Sequence, residues 1–127
     1  MPIENEVSNL VIGAAIEVHK ELGGPGLLEY IYEEALCCEL GLQNVTVERQ
    51  VGLPAFYKGI ELKKRLVLDV LVGEKVIVEV KAVEKYNTIF EAQLLTYLRL
   101  SRRKLGLVIN FVETLVKDGV HRVVNNL

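Results

Sequence analysis

LVLDVLVGEKVIVEVK, residues 66–81, sets three charged side chains, Asp69, Glu79 and Lys81, into two strongly apolar runs. Burying an unpaired charge is costly, so strand interiors ordinarily carry side chains that need no partner. Two acids and a lysine in such a place require a compensating group. A metal ion with a polarised water or a phosphate beside it would be one.

The register of this segment follows from side-chain parity. Val72 and Val76 can close a hairpin over Gly73, Glu74 and Lys75. Asp69 then stands opposite Glu79, and Val67 opposite Lys81. Side chains alternate across a strand, so Val67, Asp69, Leu71, Ile77, Glu79 and Lys81 share one face. Leu66, Leu68, Val70, Val72, Val76, Val78 and Val80 fill the other, wholly apolar face. A two-residue Gly73-Glu74 turn would put the acids on opposite faces and mix charge into the core. The three-residue loop is therefore expected, and it sets carboxylate against carboxylate, a repulsion that only a cation or a proton relieves.

Residues 4–22 read as a helix, with Val7, Leu10, Ala14, Val18 and Leu22 at helical spacing. Gly23-Gly24-Pro25-Gly26 ends it and turns the chain. A second helix is predicted from Leu27 to Leu40, stopped by Gly41. Val45 to Tyr57 is strand-like, although Gly52 and Pro54 mark an edge, bend or bulge. The central hairpin runs from about Glu61 to Ala82. A third helix follows from Thr88 to Leu100, then strands at Leu105–Phe111 and Val120–Val124. This order predicts an α/β fold, a mixed central sheet flanked by helices, in one domain spanning residues 1–127. The third helix fits a crossover that makes the strand after it parallel to the third strand. No internal repeat, low-complexity tract or linker interrupts the chain.

Half of the 127 residues are hydrophobic and a quarter are charged, an ordinary soluble composition. No apolar run reaches membrane-spanning length, and the polar, acidic N-terminus does not resemble a signal peptide, so the expected compartment is the cytoplasm. Cys37 and Cys38 are adjacent on a helix and read as reduced packing residues. The net charge of −2 hides an asymmetry: residues 1–48 carry nine acids and one lysine, residues 49–127 eight acids and fourteen Lys or Arg. Lys63-Lys64-Arg65, Lys85 and Arg102-Arg103-Lys104, if clustered, could hold a phosphate backbone. The alternative is solvated charge at the ends of secondary elements.

Asp69 and Glu79 offer oxygen ligands about one strand spacing apart, suited to Mg²⁺ or Mn²⁺ with waters completing the shell. Lys81 could orient a water or hydroxide nucleophile and offset phosphate charge; the bland alternative is a salt bridge at a strand end. Glu29, Tyr32 and Glu33 lie at i, i+3 and i+4 and can share one side of the second helix. From there Glu29 could add a metal ligand or hold a metal-bound water, or simply be a solvated acid near a helix N-terminus. Tyr32 reads as a packing residue with a polar tip. Gln93 and Tyr97 form another i, i+4 pair: Gln93 could brace Lys81, a phosphate or the attacking water, or be solvated, and Tyr97 could anchor the same face. Glu84 and Glu91 read as helix-flanking charges, and His19 and His121 have no ligand or triad spacing. Gly23-Gly24-Pro25-Gly26 lacks the preceding strand of a dinucleotide fingerprint.

Asp69, a short hairpin and then Glu79-Val80-Lys81 resemble the signature of the PD-(D/E)XK nuclease superfamily. Gly26-Leu27-Leu28-Glu29-Tyr30-Ile31-Tyr32 is similar to the Gly-x-x-Glu-x-x-Tyr motif that names a small protein family within it. The segments EVHKELGGPGLLEYIYEEAL, KVIVEVKAVEK, EAQLLTYLRL and GLVINF look like the same family, so the resemblance covers nearly the whole chain. It implies a restriction-endonuclease-like core and hydrolysis of nucleic-acid phosphodiesters, DNA first, with Mg²⁺ or Mn²⁺. Asp69 and Glu79 would bind metal and Lys81 would position or polarise the nucleophile. Glu29 matches the upstream helical acid and Gln93 the glutamine of the following helix. Two departures are visible: Val67-Leu68 precedes Asp69 where the superfamily name has a proline, and a double glycine expands the turn before Pro25. The small core leaves little room for a separate DNA-reading module, so a homodimer, a partner protein or an unusual DNA structure would complete recognition. The alternatives are a nucleic-acid-binding or regulatory module that keeps the fold without turnover, and a purely structural interaction protein.

Overall fold

The computed structural model describes residues 3–127. Helices α1 (Glu4–Glu21) and α2 (Glu29–Leu42) precede strands β1 (Val47–Leu53), β2 (Phe56–Tyr57), β3 (Ile60–Glu61), β4 (Leu66–Val72) and β5 (Val76–Lys81). Helix α3 (Ile89–Ser101), β6 (Leu105–Asn110), a 3-10 turn at Val116–Gly119 and β7 (Val120–Val124) complete the chain. Five strands form one mixed sheet in the order β1-β4-β5-β6-β7, and β2 pairs with β3 apart from it. β5 and β6 are parallel and the other neighbours antiparallel. The crossover through α3 thus has the topology that the element order implies.

Two apolar layers hold the helices to the sheet. Val70, Val72, Val78 and Val80 pack beneath α1 and α2 with Tyr32, Leu36 and Phe111. Leu71, Ile77 and Val108 pack beneath α3 with Leu94, Tyr97 and Leu98. Strand β6 is buried at all six positions because both faces are covered, which is why its sequence is nearly continuous in apolar residues. Helix α1 presents Ala14 and Ala15 at the centre of its buried stripe, so its backbone can lie close to its neighbours.

Several boundaries differ from expectation. Helix α2 runs through Gly41 to Leu42, because Leu40 is fully buried and its packing outweighs the helix cost of the following glycine. The chain between β1 and β4 forms its own ribbon, with Lys58 and Gly59 at its tip at φ of 50° and 79°. Positive φ at both central residues is the hairpin-turn geometry, and a lysine gives little warning of it.

The hairpin register is the expected one where the strands pair: Val72 opposite Val76, Leu71 opposite Ile77 and Val70 opposite Val78. There the β4–β5 ladder stops. β4 stays with β1 out to Leu66 opposite Leu53, while β5 stays with β6 out to Lys81 opposite Asn110. The sheet therefore forks. Val67 pairs with Gly52 and not, as expected, with Lys81. The expected apolar face also breaks at the fork: Leu66 and Leu68 pack on the α3 side with Leu71, whereas Val70 and Val72 face α1 and α2. A local turn of the strand at Asp69 shifts the phase of alternation.

Gly106 of β6 is where α3 comes closest to the sheet: a Cβ there would lie 2.8 Å from Leu94 Cδ2 and 2.9 Å from its Cγ. Leu94 is fully buried and has nowhere to go. We expect Gly106→Ala to destabilise the fold by about 1–3 kcal/mol through overpacking, read as a lower urea midpoint with an unchanged slope.

Candidate active site at a fork in the sheet

Where two strands part, their backbone amides lose partners, and buried amides must find others. At this fork the side chains supply them. The Asp69 N–H donates to Glu79 Oε2 at 2.9 Å, and the Val80 N–H donates to Asp69 Oδ2 at 3.0 Å. Each acid thus clamps the opposite strand and the two carboxylates are held side by side. On the outer side the β1–β4 ladder skips a pair at the same level: Arg49 faces Val70 and Val51 faces Leu68, but Gln50 lies at φ 51° with no ladder partner. A non-glycine residue in this left-handed region marks a bulge-like distortion, here directly beside Asp69.

Glu79 is buried, 8% exposed, and Asp69 is partly buried. Burial and then the negative charge of Asp69 push the Glu79 carboxyl up to about 8. The Asp69 carboxyl is also raised, by burial first, with the charge of Glu33 adding to it and Lys81 opposing it. Near neutral pH the pair therefore keeps one proton, on Glu79. Two oxygen-donor groups that resist being charged together are the donor set a hard divalent cation accepts. Mg²⁺ in particular is commonly held by one or two carboxylates plus water and phosphate oxygens. Asp69 and Glu79 fit that description.

Lys81 ends β5 two residues beyond Glu79. Its Nζ sits 4.5 Å from the centroid of the Phe90 ring of α3, a cation–π contact that limits where the ammonium can swing. Its backbone is fixed from the other side: the Phe111 N–H donates to the Lys81 carbonyl at 2.9 Å. Just beyond, buried Asn110 accepts from the Val83 N–H at 3.1 Å and donates to the Val83 carbonyl at 2.9 Å. Tyr97 of α3 reaches the same region. Burial raises its phenol first, and the charges of Glu79 and Asp69 add to the shift. Gln93 lies between Phe90 and Tyr97 at helical spacing and is exposed.

Glu29 begins α2 and accepts the Ala82 N–H at 3.3 Å, so it lies against the strand end beside Lys81. It does not join Asp69 and Glu79 in a three-acid cluster: among the described residues, no three His, Cys, Asp or Glu side chains form a group that could hold a metal ion. Tyr32 is fully buried, stacks on Phe111 with ring centroids 4.6 Å apart, donates to the Gly24 carbonyl at 2.9 Å and accepts the Leu27 N–H at 3.1 Å. It pins the glycine-rich turn that aims the first turn of α2 at the sheet.

Glu33 received no role from sequence. It is buried, pairs with Arg49 at 2.8 Å, and accepts from the Gln50 side chain at 3.0 Å. The Glu33–Arg49–Gln50 group ties α2 to the distorted stretch of β1 beside Asp69. Its i+4 spacing from Glu29 was visible, but its partners lie on a strand where Gly52 and Pro54 marked an edge, bend or bulge without placing it at Gln50.

His19 and His121 take packing roles: His19 Nε2 is 2.9 Å from the Glu113 carbonyl oxygen, and His121 stacks on Tyr86 at 3.9 Å between centroids. Cys37 and Cys38 are free, and burial raises the Cys37 thiol to about 11, which keeps it protonated and inert. No helix of the described residues is long and apolar enough to cross a membrane.

Residues 5–123 match the PD-(D/E)XK nuclease superfamily. A solved structure described as "Crystal structure of SSO0001" is similar in fold, with a TM-score of 0.53 at 17% identity over 95% of this chain and 67% of that one. At such identity the likeness is one of architecture: an α/β restriction-endonuclease-like core. No curated protein matches the chain.

The acid pair has a consequence for stability. A carboxyl raised from 4.5 to about 8 on folding holds a proton in the folded state that the unfolded chain has already released, so stability falls as pH rises between those values. We expect the metal-free protein to melt at a lower temperature at pH 8 than at pH 5, and Glu79→Gln to flatten that slope. A wild-type curve rising over this range would contradict the assignment.

Proposed function

Because the chain belongs to the PD-(D/E)XK nuclease superfamily, we propose that it hydrolyses phosphodiester bonds of nucleic acid, DNA in the first place, with Mg²⁺ or Mn²⁺ held by Asp69 and Glu79. Gly26, Glu29 and Tyr32 stand at Gly-x-x-Glu-x-x-Tyr spacing, which supports reading the chain as one of the group named for that motif. The observation that carries the reading is the reciprocal clamp: two acids share the mouth of a fork, with a lysine at the end of the same strand.

The metal would supply Lewis-acid polarisation of the phosphoryl group and neutralisation of its charge. Asp69 and Glu79 give it oxygen ligands already fixed to backbone amides, so little ordering is left to do on binding. Lys81 donates to a phosphate oxygen or to the attacking water, and Phe90 restricts its ammonium to that side. Gln93, on the same face of α3, offers an amide that both donates and accepts. Glu29, against Ala82, offers a carboxylate to orient the water. In the reaction the water oxygen bonds to phosphorus, the bond from phosphorus to one nucleoside oxygen breaks, and a proton ends on the departing oxygen. Tyr32 and Tyr97 support the site by holding α2 and α3. One chain would nick a strand or trim an end; a homodimer or a partner protein would allow both strands to be cut. The compartment that fits this activity is the cytoplasm.

A panel of single-stranded, duplex, flapped and branched DNA plus RNA, incubated with Mg²⁺ or Mn²⁺, tests the reading. Cleavage is expected, abolished by EDTA and reduced roughly 10²–10³-fold in Lys81→Ala and in Asp69→Ala, with folding checked by circular dichroism. Equal cleavage by wild type and Lys81→Ala would refute the mechanism. Metal-independent binding without cleavage, unchanged in Glu79→Gln, would favour a binding or regulatory module instead.

A further inference from the structure

We propose that the β2–β3 ribbon and the Lys63-Lys64-Arg65 segment behind it form an arm that grips an unpaired nucleic-acid strand at the open end of the fork. This rests on the nucleic-acid reading above and adds the part of the chain that takes hold of the substrate and the strand state it prefers.

β1 ends at Leu53 opposite Leu66, the first residue of β4, and this pair lies at the open end of the fork. β4 and β5 are antiparallel, so the Lys81 end of β5 is at the same end. Residues 54–65 therefore grow from one prong of the fork, on the side where the acid pair opens. Arg65 is four residues from Asp69, about 13 Å along an extended strand.

The Leu62 N–H donates to the Ala55 carbonyl at 2.8 Å and closes the base of the ribbon. Beyond that bond Phe56, Tyr57 and Ile60 are 58%, 62% and 68% exposed, and none belongs to either core layer. Tyr57 is opposite Ile60, so these two share a face, while Phe56 lies on the other beside Glu61. A two-stranded ribbon with apolar tips gains nothing for the fold by itself.

Residues 54–65 hold Lys58, Lys63, Lys64 and Arg65 against the single acid Glu61. Among the described residues none of these four cations is in an ion pair. The Arg65 side chain lies over Gly52, where a Cβ would come within 3.4 Å of its Cδ, so a missing side chain in β1 makes room for it.

Cations alone would suit any phosphate backbone. Exposed aromatic faces, by contrast, profit from bases whose own faces are open, as they are in a single strand, a flap or a branch. The two-residue strands are also too short to read a groove. The competing occupant is a second copy of this chain, since residues 1–48, with nine acids and one lysine, would attract the same arm.

Fluorescence anisotropy with a labelled single-stranded DNA oligonucleotide and the same strand in a duplex, in EDTA, tests this directly. The single strand should bind more tightly. Phe56→Ala and Tyr57→Ala should each weaken its binding roughly 5- to 100-fold and leave the duplex little changed. The triple variant Lys63→Ala/Lys64→Ala/Arg65→Ala should weaken both and reduce the salt slope of single-strand binding by about 2. All five side chains are exposed, and unchanged melting temperatures verify that the fold is intact. Wild-type affinity in the aromatic variants, preference for duplex, or loss of self-association in sedimentation in place of DNA binding would each overturn the arm. Arm-dependent binding without metal-dependent cleavage would uphold it and refute the nuclease reading, whereas cleavage indifferent to the arm would do the reverse.

Discussion

The structure turns on a hydrogen-bonding requirement: where β4 and β5 separate, the amides of Asp69 and Val80 must still be satisfied. An unpaired buried amide costs about 1–3 kcal/mol, and water would be a poor partner between two packed layers. The acids solve this by crossing over, each binding the other strand's backbone. Their carboxylates are thereby forced together. The geometry of the site and the integrity of the sheet are one arrangement, and a change that closed the ladder would remove the site with it.

The remaining elements hold the fork open and furnish it. Beyond Val78, β5 follows β6, whose six buried residues anchor it to both layers. β4 follows β1, which Glu33, Arg49 and Gln50 tie to α2. Tyr32 fixes the start of α2 through the Gly24 carbonyl and the Leu27 amide, and Gly106 lets α3 settle close enough to bring Phe90 to Lys81. Each helix thus delivers side chains to the fork through packing that is otherwise ordinary.

Much of this was legible in residues 66–81. Charge in apolar strands demanded a compensating arrangement, and keeping it out of the core selected the three-residue loop; the observed pairs Val70–Val78 to Val72–Val76 follow that register. Parity then failed just past the paired residues, because it assumes an unbroken ladder. Leu68 crosses to the α3 side since Asp69 has turned to bind Val80, a tertiary event without a local signature. Gln50 is a second case: glutamine does not announce a positive φ in mid-strand, so the bend or bulge that Gly52 and Pro54 marked could not be placed there, nor the role of Glu33 read beforehand. The ribbon was hidden for a related reason, since Tyr57-Lys58-Gly59-Ile60 carries only one of the residues its turn geometry favours.

Stability alone would not arrange matters this way. Apolar residues at positions 69 and 79 would let the β4–β5 ladder continue and would bring no charge into a buried setting. Instead the chain keeps two carboxylates so close that burial and mutual repulsion hold one of them protonated near neutral pH. Local rules broken at one place, within a fold that obeys them elsewhere, are expected at functional or strained sites. The proton shared by the pair occupies the role a cation would take, since either one relieves the same repulsion. A pair relieved in this way by a proton needs no cation to be stable, so the fold can be complete without one.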